Sequence, residues 1–223
     1  MALTGIDVTS CELVIFDFDG TLANTMDGIT RVAREALLDH GLGEGDLGDL
    51  RRLVGPPFPQ AFSMVYGLSA SEAVEVTAAY RRIYATLGID GWPAFEGVPE
   101  LLRELRRAGK RCAVASSKRA PLVTQAVADN DLDGLFDLVL GKLSDEESTK
   151  AATIAQVLDE LGADASDAVM VGDRRFDVEA ASACEVPCVG AHYGRTCPLS
   201  ELVDAGACSI AETVGELGRI LLG

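Results

Sequence analysis

The chain has 223 residues, of which 48% are hydrophobic and 24% are charged, a composition typical of a globular protein. Its formal net charge of −16 disfavours nucleic acid or an anionic membrane as a partner. No window approaches the roughly 18 uninterrupted apolar residues that cross a bilayer. Six cysteines occur without a CxxC pair, and no leader pattern is present. We expect a cytoplasmic protein with reduced thiols, monomeric or homodimeric, that is either one large domain or a domain carrying an insert.

The first predicted element is a strand, "LVIFDF", that ends on two aspartates. A continuous apolar run bounded by a glycine turn is typical of a strand buried on both faces of a parallel sheet. Asp17 and Asp19 are two residues apart and are followed at once by Gly20. Carboxylates this close need a cation, a shared proton or both, unless the turn is simply solvated. An EF-hand loop is excluded, because its sixth and twelfth positions would be Leu22 and Gly28.

The next 70 or so residues have helical periodicity almost throughout. The segments "MDGITRVAREALLDHG", "DLRRLVG", "FPQAFSMVYG" and "SASEAVEVTAAYRRIYATLG" follow one another, and Ser69 with Glu72 forms a predicted capping box. We predict a helical cap domain at residues 24–92, inserted after the first strand. Residues 1–23 and 93–223 then form the core domain. Ligands of such cores bind beyond the carboxyl ends of the strands, so the insert would cover the site as a lid.

From residue 97 onward, predicted strands and helices alternate. The strands are "KRCAVASS" (110–117), "FDLVLG" (136–141), "DAVMVGD" (167–173), "VPCVGA" (186–191) and a weaker "ACSI" (207–210). Amphipathic stretches at 97–109, 120–130, 149–162 and 177–185 predict the helices. The alternation predicts right-handed βαβ units and an α/β fold, a doubly wound parallel sheet of Rossmann-like type.

Polar residues of catalytic or ligand-binding type follow several of these strands. Ser116 and Ser117 end one strand, where a serine either caps the next helix or donates to a phosphate oxygen. Lys150 begins a helix, an end at which the macrodipole favours acids. Asp173 ends a later strand, and Asp177 follows it on the opening turn of a helix. Each feature alone is weak, but all of them converge at one edge of one sheet.

In this order the motifs "DFDGTL", serine, lysine and "GDRRFD" resemble the haloacid dehalogenase superfamily, specifically its phosphatases with a helical C1-type cap. The resemblance covers nearly the whole chain. It implies that Asp17 attacks phosphorus and that Asp19 acts as general acid and base. It also implies that a lysine binds the transferring phosphoryl group, a role that falls to Lys150.

The resemblance further implies a magnesium site and a phosphate-binding site. Mg²⁺ prefers oxygen ligands, and its predicted ligands are Asp17, Asp19 through its backbone carbonyl, Asp173 and Asp177. The predicted substrate-binding residues are Gly20, Thr21, Ser116, Ser117 and Arg52. The arginine comes from the insert, where it would pair a substrate carboxylate or a second phosphate.

Two features narrow the chemistry within the resemblance. An acid at Asp19 indicates a leaving group that needs a proton and an intermediate meant to hydrolyse. The insert contains no lysine, and Ile29 stands where beta-phosphoglucomutase has a cap histidine, which disfavours phosphonoacetaldehyde hydrolase and mutase chemistry. The segments "VGPPF", "YRRIY" and "GDRRFD" look most like the phosphoglycolate phosphatase and 5'-nucleotidase-like branch.

We therefore predict a Mg²⁺-dependent phosphatase whose partner is a small-molecule phosphate ester resembling phosphoglycolate. A 5'-nucleotidase or a pyrophosphatase of the same family is the alternative. A phosphorylation-responsive binding protein is a rival of another class, because receiver domains also gather acids, a hydroxyl and a lysine at the end of a doubly wound sheet. Receivers are about half this length and lack a helical insert.

Overall fold

A six-stranded parallel sheet organises the computed structural model, which describes residues 6–144 and 149–223. The strands are β1 (Leu13–Phe16), β2 (Arg111–Arg119), β3 (Leu138–Lys142), β4 (Ala168–Gly172), β5 (Cys188–Ala191) and β6 (Ser209–Ala211). Their order across the sheet is β3-β2-β1-β4-β5-β6, and every neighbouring pair is parallel. The first strand is therefore central, and its carboxyl end lies between those of β2 and β4.

Helices cover both faces of this sheet. They are α1 (Met26–Asp39), α2 (Gln60–Tyr66), α3 (Ala70–Tyr84), α4 (Val98–Arg107), α5 (Ala120–Asp129), α6 (Lys150–Leu161), α7 (Arg175–Ala183), α8 (Leu199–Ala205) and α9 (Val214–Leu222). Alternate residues of β1 point to opposite faces. Val14 and Phe16 pack in the apolar cluster that includes α4, α5 and α9, whereas Leu13 and Ile15 pack in the one that includes α6, α7 and α8. The predicted doubly wound α/β fold is confirmed.

The segment between β1 and α4 contains α1, α2 and α3, and we call residues 24–92 the helical insert. Backbone hydrogen bonds join its two ends. The Asn24 N–H donates to the Pro93 carbonyl at 2.8 Å, and the Phe95 N–H donates to the Leu22 carbonyl at 3.0 Å. The insert therefore leaves the sheet and returns to it at one place, beside the carboxyl end of β1.

A chain of aromatic rings fixes the insert internally and against the core. Phe58 stacks on Phe62 with a centroid distance of 4.9 Å, and Tyr80 stacks on Tyr84 at 5.1 Å. Trp92 lies 5.2 Å from Tyr84, and its indole N–H donates to a carboxylate oxygen at the end of α5. The rings continue the apolar cluster on the α4 face of the sheet without a break.

The elements agree with the sequence predictions except at three places. The predicted helix at 49–55 is only a short 3₁₀ turn, Leu50–Leu53, because Gly55 has a φ of 104° and two prolines follow it. Helix α7 begins at Arg175, two residues early. Helices α8 and α9 were not predicted, although Thr213 caps α9 by accepting from the Glu216 N–H. Across the described ranges, no helix has the length and apolarity that a membrane span requires.

Candidate active site

The turn after β1 places two carboxylates at the centre of the sheet edge. The Asp17 N–H still donates to the Val171 carbonyl of β4 at 2.9 Å, so Asp17 continues the sheet by one residue. The Phe18 carbonyl then accepts from three successive N–H groups, which closes a tight turn. Gly20 makes this turn possible with a φ of 81°. The Asp17 side chain is consequently only 11% exposed, whereas that of Asp19 is 19% exposed.

Lys150 neutralises part of the charge around Asp17. As the first residue of α6, it extends its ammonium nitrogen to 2.6 Å from Asp17 Oδ1 and 2.5 Å from Asp177 Oδ1. The Thr149 hydroxyl caps the same helix by accepting from the Ala152 N–H. Burial lowers the pKa of Lys150, but the two carboxylates outweigh it, and the net pKa is raised. The lysine is therefore a fixed positive charge.

Three acids form a buried acid cluster, which we define as Asp17, Asp173 and Asp177. One carboxylate oxygen from each lies within 4.8 Å of the others. Burial, together with the neighbouring carboxylates, raises the pKa of Asp17 to about 7 and that of Asp173 well above its ordinary value. Thus the cluster favours any ligand that supplies positive charge.

The free oxygen of Asp173 shows where a cation fits. Its Oδ1 accepts from the Thr21 hydroxyl at 3.3 Å, but its buried Oδ2 has no hydrogen-bond partner. Both oxygens of Asp177 are taken, one by Lys150 and one by the Arg174 N–H at 3.0 Å. A hard divalent cation prefers such unpartnered carboxylate oxygens. The cluster therefore fits a divalent cation such as Mg²⁺.

A bulge in β2 brings the predicted serines to the same edge. The register against β3 shifts between Ala115 and Arg119, so residues 116–118 leave the regular ladder. Gly141 of β3 permits this, because a Cβ there would lie 2.6 Å from the Lys118 carbonyl oxygen. Ser116 is buried at 1% exposure, and its hydroxyl accepts from the Lys118 N–H at 3.2 Å.

The bulge also delivers a second buried lysine. Lys118 Nζ lies 2.9 Å from Asp19 Oδ1 and 4.6 Å from the centroid of the Tyr84 ring. The Lys118 side chain is only 6% exposed. We call this series Tyr84, Lys118 and Asp19 the contact chain. It runs from the end of α3 in the insert to the turn after β1 in the core.

The core edge and the insert enclose a cavity of about 70 Å³. Asp17 and Asp19 lie on its core side. Its other lining residues are Ile29, Leu53, Gly55, Pro56, Pro57, Phe58, Tyr80, Arg81, Tyr84, Ser116, Ser117, Lys118, Arg119 and Leu122. The insert thus supplies mainly apolar and aromatic walls, and the core supplies the carboxylates and hydroxyls.

Comparison with known proteins identifies the family. Residues 14–191 match the family model described as haloacid dehalogenase-like hydrolase. The chain belongs to this family. The hydrolase is 35% identical to a 5'-nucleotidase from Pseudomonas aeruginosa, over 81% of this chain and 82% of the relative. It is also 35% identical to the tyrosine-protein kinase PtkA from Mycobacterium tuberculosis, over 95% and 73% of the two chains.

Other relatives are named phosphatases. A phosphoglycolate phosphatase from Rhodospirillum rubrum is 31% identical, over 93% of this chain and 89% of the relative. The crystal structure of a predicted phosphatase from Clostridium acetobutylicum superposes with a TM-score of 0.88 at 31% identity, covering 94% and 97% of the two chains. Family membership and these relatives class the protein as a phosphomonoester hydrolase.

The structure brings most predicted site residues of this hydrolase together. Asp17, Asp19, Ser116 and Ser117 line one cavity, and Lys150 joins Asp17 to the rest of the acid cluster. Gly20 and Thr21, predicted as substrate-binding residues, lie instead against Asp173. The Thr21 hydroxyl donates to that carboxylate, and a Cβ on Gly20 would meet its Oδ2 at 2.2 Å.

Arg52 lies apart from the other predicted residues. It lines a separate cleft with Arg51, Arg174 and Arg195, and the cavity that holds Asp17 and Asp19 does not include it. The arginine of the insert that lines the cavity is Arg81. The 3₁₀ turn at Leu50–Leu53 exposes Arg51 and Arg52 while it buries Leu53.

Sequence reasoning missed the roles of Lys118 and Tyr84. Lys118 had a usable signal, because it follows two serines at a strand end that was already assigned to the site. Tyr84 had none, since its place beside Lys118 depends on how the helical insert packs against the core. The pairing of these two residues therefore depends on the tertiary contact between the insert and the core.

Proposed function

We propose that this hydrolase cleaves a small phosphate monoester through an aspartyl-phosphate on Asp17, with Mg²⁺ as cofactor. The observation that carries the proposal is the placement of Asp17. Its carboxylate is buried, is held 2.6 Å from Lys150 and borders a cavity that also contains Asp19. A nucleophile and an acid-base group therefore face the same small space.

The two aspartates divide the reaction into two steps. An Asp17 oxygen attacks phosphorus, the bond from phosphorus to the leaving oxygen breaks, and Asp19 gives that oxygen a proton. In the second step Asp19 takes a proton from water, whose oxygen attacks phosphorus and releases Asp17 and inorganic phosphate. The first step leaves Asp17 phosphorylated and Asp19 deprotonated, and the second restores both, so water is the only other reactant.

The charges around the cluster support both the cofactor and the substrate class. When deprotonated, the carboxylates of Asp17, Asp19, Asp173 and Asp177 carry four negative charges, of which Lys150 and Lys118 offset two. A bound Mg²⁺, held by Asp17, Asp173 and the Asp19 carbonyl, would offset the remainder and supply positive charge beside the transferring phosphoryl group. Lys150 and the Ser116 hydroxyl would bind that group's oxygens.

The size of the cavity favours a compact leaving group. Its volume of about 70 Å³ is far below the roughly 300–1,000 Å³ of pockets that enclose drug-sized ligands. We therefore propose a substrate resembling phosphoglycolate, with the helical insert at residues 24–92 acting as the cap domain that encloses it. A nucleoside monophosphate would require the insert to stand further from the core, which makes a 5'-nucleotidase the second candidate.

The test is phosphate release by the purified protein. We expect hydrolysis of p-nitrophenyl phosphate with Mg²⁺, its loss in EDTA, and at least about a 10³-fold loss of kcat in Asp17→Asn. Asp159→Asn, an exposed acid on α6, is the matched control and should retain activity. Unchanged turnover in Asp17→Asn would exclude the proposed nucleophile.

A substrate panel separates the remaining candidates. Phosphoglycolate, a nucleoside monophosphate, a sugar phosphate and pyrophosphate would be compared by kcat/KM. The highest value for phosphoglycolate is expected from the cavity size. A phosphorylation-responsive binding protein would instead retain phosphate on Asp17 for long periods after a single labelling by a small phosphodonor.

A further inference from the structure

Lys118 is the buried cation of the site that the proposed steps leave unused. Its ammonium nitrogen is 2.9 Å from Asp19 Oδ1, and the Tyr84 ring covers it on the insert side. Burial lowers the pKa of Lys118, but Asp19 and Tyr84 outweigh it and the net pKa is raised. The positively charged ammonium of Lys118 therefore lies beside the Asp19 carboxylate, the group proposed to exchange a proton.

The partner on the insert side is itself rigid. Tyr84 is fully buried, stacks on Tyr80 at 5.1 Å and contacts Trp92 at 5.2 Å. Its hydroxyl donates to the Gly91 carbonyl at 3.1 Å. A ring held on three sides provides a fixed face for a cation, within the roughly 6 Å over which such contacts are favourable.

We propose that Lys118 is a positioning residue that orients the Asp19 carboxylate toward the leaving-group oxygen, with Tyr84 holding the ammonium in place when the insert covers the cavity. The inference rests on the proposed function, because it assumes that Asp19 exchanges the proton. Lys118 binds Oδ1, so Oδ2 is the oxygen that donates to the leaving group and later accepts from water. The contact chain thereby links the position of the insert to the geometry of the acid-base step.

The two lysines act on different parts of the reaction. Lys150 contacts the nucleophile and Asp177, on the side where the phosphoryl group is transferred. Within the described residues, the ion pair that Lys118 forms in the site is with Asp19. This ion pair restrains the position of the Asp19 carboxylate, and a misplacement of about 1 Å at a reacting group costs about 100-fold in rate.

The experiment compares two leaving groups. p-Nitrophenyl phosphate releases a stable anion that needs little protonation, whereas the fastest alkyl phosphate of the substrate panel releases an alkoxide that needs a proton. Asp19→Asn is the reference and should lower kcat on the alkyl phosphate by about 10²- to 10⁴-fold, with a much smaller loss on the aryl phosphate.

Lys118→Met should show the same selectivity with a smaller amplitude. We expect kcat on the alkyl phosphate to fall by about 10- to 100-fold and the loss on p-nitrophenyl phosphate to be about ten times smaller. Lys118→Arg keeps the buried charge and should recover part of the alkyl activity. The matched control is Lys110→Met, a lysine just before the other end of β2, which should leave the ratio of the two activities unchanged.

Several outcomes would overturn the inference. Equal losses on the two substrates would assign Lys118 to phosphoryl binding or to structure, and a rise in KM at constant kcat would assign it to substrate binding. If Asp19→Asn and the double variant with Lys118→Met differ in leaving-group selectivity, the two residues act separately. If Lys118→Met does not fold, the ratio of alkyl to aryl activity in Lys118→Arg decides. The N–H donors of an arginine lie at other positions than the lysine ammonium, so the inference requires this ratio to fall below that of the unmodified protein.

Failure of the underlying function has a different signature. If Asp19→Asn itself shows no dependence on the leaving group, the acid-base role of Asp19 is excluded whatever Lys118 does. If Asp19→Asn shows the dependence and Lys118→Met does not, only the positioning role fails. Tyr84→Leu tests the insert contact, and we expect the alkyl-to-aryl ratio to fall about three- to ten-fold. An unchanged ratio there would remove Tyr84 from the proposal.

Discussion

The acid cluster and the contact chain are both built on a buried lysine, yet they are assembled differently. Lys150 joins Asp17 to Asp177, and all three residues belong to the core. Lys118 joins Asp19 of the core to Tyr84 of the insert. The first arrangement therefore exists wherever the sheet is folded, whereas the second requires the insert to be in place. In the proposed mechanism, the first arrangement serves the chemistry on phosphorus and the second serves the protonation of the leaving group.

Removal of Lys150 should have the largest effect on activity. Lys150→Met leaves Asp17 and Asp177 without their cation, and we expect kcat to fall by about 10²- to 10³-fold. The loss should be equal for aryl and alkyl phosphates, because this lysine does not contact the acid-base group. Steady-state kinetics at saturating Mg²⁺ check both points.

Folding must be measured alongside that activity. Breaking a buried ion pair costs about 3–5 kcal/mol, so a fall in the free energy of unfolding by urea is expected in Lys150→Met. A loss that depended on the leaving group as strongly as that of Lys118→Met would contradict the separation between the two lysines.

Asp173 should control the metal requirement rather than the leaving group. Its carboxylate belongs to the acid cluster, and its buried Oδ2 has no hydrogen-bond partner. Asp173→Asn should therefore raise the Mg²⁺ concentration for half-maximal activity by about 10- to 100-fold. Glu201→Gln is the control, since it removes a charge that pairs with the neighbouring Arg174 but adds no oxygen to the cluster. An equal Mg²⁺ requirement in the two variants would argue against Asp173 as a ligand.

Sequence patterns predicted the acid cluster because parallel strands bring their carboxyl ends to one edge of a sheet. Asp17 and Asp173 each follow such a strand, Ser116 lies in the bulge near the carboxyl end of another, and the order of the strands brings them together. Lys150 was predictable only from the family motif, since nothing local explains a cation at the start of α6. The sheet and this part of the site could thus be predicted from the sequence.

The insert side of the site was not predictable in the same way. Tyr84 is an ordinary buried position of an amphipathic helix, and only the tertiary structure brings its ring to Lys118, which lies in the bulge of β2. Arg52 was predicted from its charge and its segment, and the short 3₁₀ turn places it in another cleft, so its role in substrate binding stays a prediction. The helical periodicity of a sequence indicates which residues are buried, but it does not indicate which residues they pack against.

Binding of the metal should also make the stability of the protein depend on pH in a characteristic way. Burial raises the folded pKa of Asp17 from 3.8 to about 7. The metal-free folded protein therefore holds a proton that the unfolded chain has released, and stability in EDTA is lost as the pH rises from about 4 through 7. Mg²⁺ binds the deprotonated carboxylates, so its stabilising effect should grow over the same interval.

Thermal unfolding with Mg²⁺ and with EDTA measures this effect. At about 100 times its Kd, a ligand adds about 2.7 kcal/mol, which corresponds to a rise in Tm of roughly 5–10 °C for a chain of this size. The rise should be largest above pH 7 and small near pH 5, and it should be reduced in Asp173→Asn. A rise in Tm that is independent of pH would place the metal away from the acid cluster.

Arginine substitutions in the insert should give the smallest effects and locate the distal end of the substrate. Arg81 borders the cavity, whereas Arg52 borders the cleft of Arg174 and Arg195. Arg81→Ala should raise KM for phosphoglycolate about ten-fold, because a charge-assisted hydrogen bond to the carboxylate is lost. Arg52→Ala should change KM by less than about two-fold, since an exposed charge outside the cavity contributes little. If Arg52→Ala instead had the larger effect, the insert would have to move during catalysis until Arg52 faced the cavity, and the contact between Lys118 and Tyr84 would then belong to only one stage of the cycle.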